Sequence, residues 1–147
     1  MKTILVPVDF SDVTPALVKT AQNLASALKC RLVVLHVEVP ETTPIFRPFE
    51  LEVAAVALTK RDVTADRKAL NNTVATLTAA GAEVEARHAR GPAVQVILEE
   101  AAKDEAEFIV MGSHGHGELY HLLAGGVTSG VLKSALCPVV VVPSVRR

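Results

Sequence analysis

Short apolar runs rich in β-branched residues alternate along this chain with longer segments of helical periodicity. The runs that we predict as strands span residues 2–8, 31–39, 84–89 and 107–111, and their lengths suit buried strands. The third run is the most polar, so we expect it at an edge of the sheet. Strands that alternate with helices favour an α/β fold, in which right-handed crossovers build a doubly wound parallel sheet.

Turn and cap residues set the limits of the predicted helices. Thr14 is interpreted as an N-cap that precedes Pro15 at the first helical position, and this helix should run to about residue 29. Residues 49–80 are predicted as a helix that is exposed or broken within the polar segment 59–68. Further helices are predicted for residues 93–104 and for a short stretch that begins near Val127.

The stretch from residue 111 to residue 143 concentrates residues that bring the main chain close to a ligand. It ends in a second apolar run at residues 139–142, and glycines occupy positions 112, 115, 117, 125 and 126. Glycine lacks Cβ, so the chain can turn sharply and expose its N–H groups. N–H groups that converge before a helix form an anion site, aided by the helix dipole. We therefore interpret this stretch as a phosphate cradle in a nucleotide-binding domain.

Hydroxyl groups and one carboxylate accompany these glycines. Ser113 lies in the first glycine turn, and Thr128 and Ser129 lie in the first turn of the following short helix, where their hydroxyls could meet the same phosphate. Asp9 directly follows the first strand, at the carboxyl end where open α/β sheets bind ligands. The sequence leaves Asp9 with two interpretations, a ligand-binding residue or a turn carboxylate. Gly130, within the helix, is explained only by close packing.

Two common nucleotide-binding motifs are absent from the sequence. No GxxxxGK[ST] pattern exists, which excludes a P-loop, and Tyr120 occupies the position where GxGxxG would need its third glycine after Gly115 and Gly117. The glycine turns also contain no lysine. The charge of a phosphate would therefore be neutralised by N–H groups, by the helix N-terminus and by Mg²⁺ held at Asp9.

Size and charge limit the classes of function. The 147 residues suit one domain, and a net charge of −1 with a pI near 6.5 provides no basic surface for nucleic acid. No apolar run approaches the roughly 18–20 residues of a membrane span, and the N-terminus does not resemble a signal peptide. Cys30 and Cys137 fit no CxxC pattern, so we expect buried thiols in a cytoplasmic protein.

The glycine spacing Gly112-x2-Gly115-x9-Gly125 resembles the ATP-binding pattern G-x2-G-x9-G-[ST] of the universal stress protein family. Other segments resemble that family as well, in the same order along the chain, and only residues 40–80 diverge. These segments are ILVPVDFSD at residues 4–12, LHV at 35–37, IVMGSHG at 109–115 and CPVVVVP at 137–143.

The resemblance implies one domain over residues 1–147, with five parallel strands in the order 3-2-1-4-5 and helices on both faces, in three layers. It implies a stress-response regulatory module that forms a homodimer through the strand at residues 139–142 and binds ATP or AMP at the strand ends. The residues that it assigns to the nucleotide are Pro7, Val8, Asp9 and Val37 around the base and ribose, Met111, Gly112, Ser113, His114 and Gly115 around the ribose and phosphates, and Gly125, Gly126, Val127 and Thr128 around the phosphates.

Gly126 departs from the family pattern, which has serine or threonine after the third glycine. A hydroxyl contact to phosphate is thereby lost, and a hydrogen bond to a charged group is worth about 1.5–3 kcal/mol, or roughly ten- to a hundredfold in affinity. Thr128 and Ser129 are candidates to replace it. Glu107, where the family usually has aspartate, is a conservative change.

Three other functions remain open. A branch of the family lacks the glycine motif and binds no nucleotide, and Gly126 leaves open that this chain acts like that branch, as a dimeric interaction protein. A slow ATPase or phosphotransferase would need an oriented water and a base, for which His114 and His116 are candidates by position. The same two histidines and His121 could instead hold zinc, although no fourth ligand is evident.

Overall fold

A computed structural model describes residues 1–11, 13–39, 63–113 and 126–143 of the chain. Strands and helices alternate along these residues, as the apolar runs predict. The elements, in chain order, are β1 (Thr3–Val8), α1 (Thr14–Leu28), β2 (Arg31–Glu38), α2 (Val63–Ala79), β3 (Val84–Arg90), α3 (Ala93–Lys103), β4 (Phe108–Gly112), α4 (Val127–Ser134) and β5 (Val139–Val142).

All five strands form one parallel sheet in the order β3-β2-β1-β4-β5. The fold class and the strand order are therefore confirmed, and β3 lies at an edge, as its polar residues predict. From β1 the chain first proceeds outward to β2 and β3, and it then returns to add β4 and β5 on the other side. The order of the strands consequently reverses between β1 and β4, which is where ligands bind in open α/β sheets.

Two apolar clusters cover the two faces of the sheet, because successive residues of a strand point to opposite sides. Ile4, Val6 and Val8 face one side, where they join apolar residues of α1 and α2. Leu5 faces the other side with residues of α3 and α4. The buried helical residues are Leu17, Ala21 and Ala25 of α1, Leu70 and Leu77 of α2, Ile97 and Ala101 of α3, and Val131 of α4.

The predicted limits of three helices differ from those in the structure, and part of one predicted helix lies outside the described residues. Val13, not Thr14, is the N-cap of α1, and Val13 makes no side-chain capping bond; the prediction for Thr14 is therefore wrong. Helix α2 begins at Val63, inside the polar segment 59–68 where we expected exposure or a break. The remainder of the helix predicted for residues 49–80, and the loop before it, lie outside the described residues. Helix α3 ends at Lys103, and Asp104 is its C-cap.

Arg87 explains why the edge strand β3 is polar on one face. Its guanidinium lies 2.7 Å from Asp104 Oδ2 and 2.8 Å from Glu85 Oε2, and 3.5 Å from Glu100 Oε1. The Arg87 side chain is only 15 % exposed, so these carboxylates compensate for its burial. The hydrogen bond from Arg87 holds the pKa of Glu85 below its ordinary value, against the opposing effect of desolvation.

Within the described ranges, no helix is both long and apolar enough to cross a bilayer. Both cysteines, Cys30 and Cys137, are free thiols.

Candidate functional site

The strands β1 and β4 separate at their carboxyl ends. Their pairing joins Ile4 to Phe108 and Leu5 to Ile109 and then stops, three residues before either strand ends. By contrast, β1 remains paired with β2 as far as Val8, and β4 remains paired with β5 as far as Gly112. At the point where the strand order reverses, the two strand ends are therefore not paired, and we refer to the place between Val8 and Gly112 as the crevice.

A tight turn follows β1 at one side of this crevice. The carboxylate of Asp9 accepts a hydrogen bond from the N–H of Ser11 at 3.0 Å, which is an Asx-type turn. Phe10 adopts a φ of 59°, and its ring lies 5.3 Å from the His36 ring, centroid to centroid. Asp9 therefore does act as a turn carboxylate, while its second oxygen is not part of this bond.

The other side of the crevice is the end of β4, which is joined directly to α4. Thr128 Oγ1 donates a hydrogen bond to the carbonyl oxygen of Gly112 at 2.8 Å. The N–H of Ser113 donates to the carbonyl oxygen of Val142 at 2.8 Å, which continues the β4–β5 ladder by one residue. The Thr128 bond holds the first turn of α4 beside the strand end, and the Ser113 bond holds the strand end beside β5.

The N-cap residue of α4 supplies no side-chain capping bond. This N-cap, Gly126, has φ 125° and ψ −179°, and no acidic residue lies in the first turn. The first N–H groups of a helix have no partner within the helix, and the dipole adds about half a positive charge there. A helix start of this kind, placed beside a strand end, can accept an anionic group.

Close packing against α3 explains the glycine inside α4. A Cβ built on Gly130 would lie 2.8 Å from Cγ2 of Val94, closer than real side chains approach. Val94 belongs to the first turn of α3, so the N-terminal turns of the two helices are in contact. The expectation that Gly130 serves close packing is confirmed.

The predicted site residues that the structure describes come from four segments of the chain. Their side chains differ in how far they are buried. Val8 and Met111 are buried in opposite core clusters, and Val37 packs against the same cluster as Met111. Those three residues can therefore offer mainly main-chain groups to a ligand. Pro7, Asp9 and Gly112 are half-buried, Ser113 is buried, and Gly126 and Val127 are exposed. His114, Gly115 and Gly125 lie outside the described residues.

The Thr128 side chain has a different role from the one that the sequence suggested. We interpreted its hydroxyl as a replacement for the missing contact at Gly126. Its proton is instead donated to Gly112, and a phosphate oxygen can only accept hydrogen bonds. In this arrangement the Thr128 hydroxyl holds the helix against the end of β4.

Three buried hydroxyls near the carboxyl ends of β1 and β4 have no hydrogen-bond partner among the described atoms. They belong to Ser11, Thr14 and Ser113, which are 7 %, 8 % and 4 % exposed. A buried hydroxyl without a partner is costly, so a ligand or an ordered water is a reasonable partner for them. Ser113 was predicted as a site residue. Ser11 was missed as one, although it lies only two residues after Asp9.

No group of three or more metal-binding side chains is found among the residues that the structure describes. The histidines considered for zinc, His114, His116 and His121, lie outside those residues. The chemistry supported by the described site is therefore the binding of an anion by main-chain donors, with the carboxylate of Asp9 directly after β1.

The sequence matches the model of the universal stress protein family over residues 1–143. It is 32% identical over 142 residues to the universal stress protein in the QAH/OAS sulfhydrylase 3′ region of Thermus aquaticus, covering 96% of this chain and 98% of that one. It is 29% identical to universal stress protein MJ0531 of Methanocaldococcus jannaschii, covering 99% of this chain and 84% of that one.

Solved structures share the fold. Universal stress protein UspA from Lactobacillus plantarum has a TM-score of 0.77 at 24% identity, with 96% of this chain and 97% of that chain covered. A universal stress protein in complex with cAMP has a TM-score of 0.69 at 24% identity, with 96% of both chains covered. One from Archaeoglobus fulgidus in complex with dAMP has a TM-score of 0.64 at 22% identity, with 96% and 97% covered.

Proposed function

The chain belongs to the universal stress protein family, and from that premise we propose that it is a regulatory module that binds an adenine nucleotide, ATP or AMP. The observation that carries this proposal is the uncapped start of α4, which Thr128 attaches to Gly112 beside the crevice between β1 and β4. The start of a helix and the helix dipole favour an anion at that position. The three buried hydroxyls without described partners offer further contacts.

Nucleotide complexes of structural relatives support adenine as the base. Two universal stress proteins with this fold were solved with cAMP and with dAMP, and both ligands combine adenine with a single phosphate. These relatives are only 24% and 22% identical to this chain, and they motivate the choice of ligand. The proposed position of the ligand, at the start of α4, is supported by the geometry of this chain.

We propose for the site residues the roles that the family resemblance implies. Pro7, Val8 and Asp9 line the base and ribose, and the main chain of Val37 meets the adenine. Asp9 also holds Mg²⁺ when the ligand carries a di- or triphosphate, through the carboxylate oxygen that Ser11 does not use. The groups assigned to the ribose and phosphates are Met111, Gly112, Ser113, His114 and Gly115, with Gly125, Gly126, Val127 and Thr128 at the phosphates.

We also propose a homodimer formed through the edge strand β5, in a cytoplasmic setting that suits two free thiols. The strand lies at the end of the sheet order, and an edge strand offers main-chain groups to a second chain. Two large apolar residues that precede β5 are accessible: Leu132 of α4 is 42% exposed, and Leu136, between α4 and β5, is fully exposed. Association would cover both of them.

A second candidate function is a dimeric interaction protein of the same fold that binds no nucleotide. Gly126 favours it, because this position lacks a hydroxyl and the Thr128 hydroxyl is already donated to Gly112. The glycine at position 126 and the bond from Thr128 to Gly112 each leave the phosphate site with one hydroxyl donor fewer.

One experiment separates the two functions. Purified protein is denatured and its small molecules are separated by anion exchange, and the refolded or untreated protein is titrated calorimetrically with millimolar ATP and Mg²⁺, or with AMP. Co-purified adenine nucleotide, or a saturable heat, supports the first function. The absence of both favours the interaction protein.

A further inference from the structure

Three aromatic rings lie in a row near the carboxyl ends of β1, β2 and β3. His36 is the middle ring, and its centroid lies 5.3 Å from that of Phe10 and 5.2 Å from that of His88. His36 and His88 are direct partners in the pairing of β2 with β3, and Phe10 packs against the core cluster beneath α1 and α2. The row therefore connects the edge strand to the turn that follows β1.

Each histidine of this row faces a carboxylate. His36 Nε2 lies 3.7 Å from Oδ2 of Asp66 on α2, and His88 Nε2 lies 3.9 Å from Oε1 of Glu38 on β2. Arg90 Nε lies 4.0 Å from Oε2 of Glu38, so the negative charge of Glu38 is shared with a cation. Within the described parts of β2, β3 and α2, these are the charged groups that face the two rings, and the turn after β1 contributes an uncharged ring.

His36 has the nearer and the less exposed of the two carboxylates. It is 4% exposed, and burial disfavours a charged imidazole. A proton on His36 would, however, gain Asp66 as a counter-ion and would lie between two aromatic rings, whose faces attract a cation. The side chain of Asp66 is only 17% exposed, so water and salt would screen this pair little. Histidine is also the side chain whose ordinary pKa lies between pH 5 and 8.

Phe10 connects the row of rings to the crevice. Its φ of 59° is rare for a bulky residue and persists only where the surrounding structure holds it. The contact with the His36 ring is one such restraint. Phe10 lies in the middle of the turn in which Asp9 accepts the N–H of Ser11 at 3.0 Å. A change in the contact between the two rings therefore changes how firmly Asp9 is held.

We propose that His36 is a pH-sensing positioning residue, which holds the turn at Asp9 more firmly when its imidazole is protonated. Protonation converts the contact with Phe10 from two neutral rings into a cation against an aromatic face, and it adds an ion pair with Asp66. The proton is taken up from solvent and is released to it. The effect on ligand binding rests on the proposed nucleotide function, whereas the effect on the turn needs no ligand.

Acidification should therefore tighten the binding of a nucleoside beside Asp9. A cation–π contact changes an equilibrium by roughly two- to thirtyfold. Affinity rises only as far as protonation increases the fraction of the protein in which the turn is formed. We expect adenosine to bind roughly two- to tenfold more tightly at pH 5.5 than at pH 8.0.

Calorimetric titration with adenosine at these two pH values tests the proposal, because adenosine has no phosphate that could itself titrate between them. His36→Phe keeps an aromatic ring beside Phe10 but cannot take up a proton, and Phe10→Leu keeps the histidine but removes its ring partner. Both variants should bind adenosine with equal affinity at the two pH values. His88→Gln is the control, since it keeps His36, Phe10 and Asp66 and should retain the pH dependence of the wild type.

NMR titration of the protein without ligand provides a second measurement. Between pH 8.5 and pH 5 the ring signals of His36 and Phe10 and the N–H signal of Ser11 should shift with one common midpoint. Phe10→Leu should uncouple Ser11 from His36, and Asp66→Asn should move the midpoint to lower pH, because the counter-ion is lost. If His36 served packing alone, the Ser11 signal would not follow the histidine.

The outcomes separate this proposal from the nucleotide function. Adenosine affinity in the wild type that is equal or weaker at pH 5.5, or that changes as much in His36→Phe, overturns the pH-sensing role and leaves the nucleotide function standing. Loss of the pH dependence in His88→Gln, with its retention in His36→Phe, would assign the proton to His88 and also overturn the role of His36. If the wild type binds neither adenosine nor AMP, the nucleotide function is overturned, and the common midpoint in the NMR titration alone decides whether His36 controls the turn.

Discussion

The hydroxyl of Thr128 donates a hydrogen bond to the carbonyl oxygen of Gly112 across 2.8 Å. Thr128 is 6% exposed, so water competes little for this bond. It joins the last residue of β4 to the first turn of α4, sixteen positions later in the chain. This side-chain hydroxyl therefore contributes to the position of the proposed anion site relative to the sheet.

Thr128→Val should destabilise the protein by about 1–3 kcal/mol, because the change keeps the shape of the side chain and leaves the Gly112 carbonyl without its donor. Urea denaturation at pH 7 measures the difference. Thr128→Ser retains the hydroxyl and should lose no more than about 1 kcal/mol. Equal losses in the two variants would show that the methyl group matters and the hydrogen bond does not.

Gly130→Ala should also be destabilising, although alanine is the better helix former. The helix preference favours alanine by about 1 kcal/mol, whereas overpacking against Val94 costs typically about 1–3 kcal/mol. A Cβ on residue 130 would lie 2.8 Å from Cγ2 of Val94, so we expect the packing cost to exceed the gain in helix preference. The free energy of unfolding should fall by up to about 2 kcal/mol.

The double variant with Val94→Ala tests the cause of that loss. Once the Val94 methyl groups are removed, Gly130→Ala should become neutral or stabilising by up to about 1 kcal/mol, measured against Val94→Ala alone. A loss of the same size in both backgrounds would place the strain elsewhere.

The sheet could be predicted from the sequence because its strands are buried. A strand covered on both faces needs an unbroken apolar run, and residues 4–6 and 109–111 supply such runs. The family resemblance then provided the strand order. The turn of Asp9 was also foreseeable as one of two interpretations, since aspartate after a strand commonly accepts a nearby N–H.

Partners that meet only in three dimensions could not be predicted. Nothing in the local sequence indicates that Thr128 bonds to Gly112, or that His36 stacks between Phe10 and His88 at centroid distances of 5.3 and 5.2 Å. The main-chain torsion of Gly126 could not be predicted from the sequence either. The sequence showed a missing hydroxyl there, whereas the structure shows a backbone conformation that depends on glycine.

Arg87→Met should lower the free energy of unfolding by about 3 kcal/mol at pH 7. The change removes the cation that Asp104, Glu85 and Glu100 share, and it leaves these carboxylates partly buried without a partner charge. Arg87 lowers the pKa of Glu85 below 4.5, so the stabilisation from this pair is complete above that pH. It is lost as the pH falls through the lower pKa of the folded state. The difference in free energy of unfolding between the wild type and the variant should therefore become smaller below about pH 4.

Denaturation curves at pH 7 and pH 3 measure that difference, and Arg87→Lys serves as the control. Lysine keeps the charge but cannot bond two carboxylates with a planar fork, so it should recover part of the stability. A difference that stays constant between the two pH values would assign the loss to packing of the arginine side chain.

Leu136→Asp should separate the proposed dimer without unfolding the chain. Leu136 is fully exposed, so the change costs the monomer little, whereas a two-fold interface through β5 would bury two aspartates in an apolar contact. We expect the dimer dissociation constant to rise at least roughly a hundredfold, or about 3 kcal/mol. Sedimentation equilibrium measures it, with Leu28→Asp as the control, since Leu28 is also exposed, at 47%, but is the last residue of α1 and not a neighbour of β5 in the sequence. A Leu136→Asp protein that remains as dimeric as the control would exclude this surface from the interface.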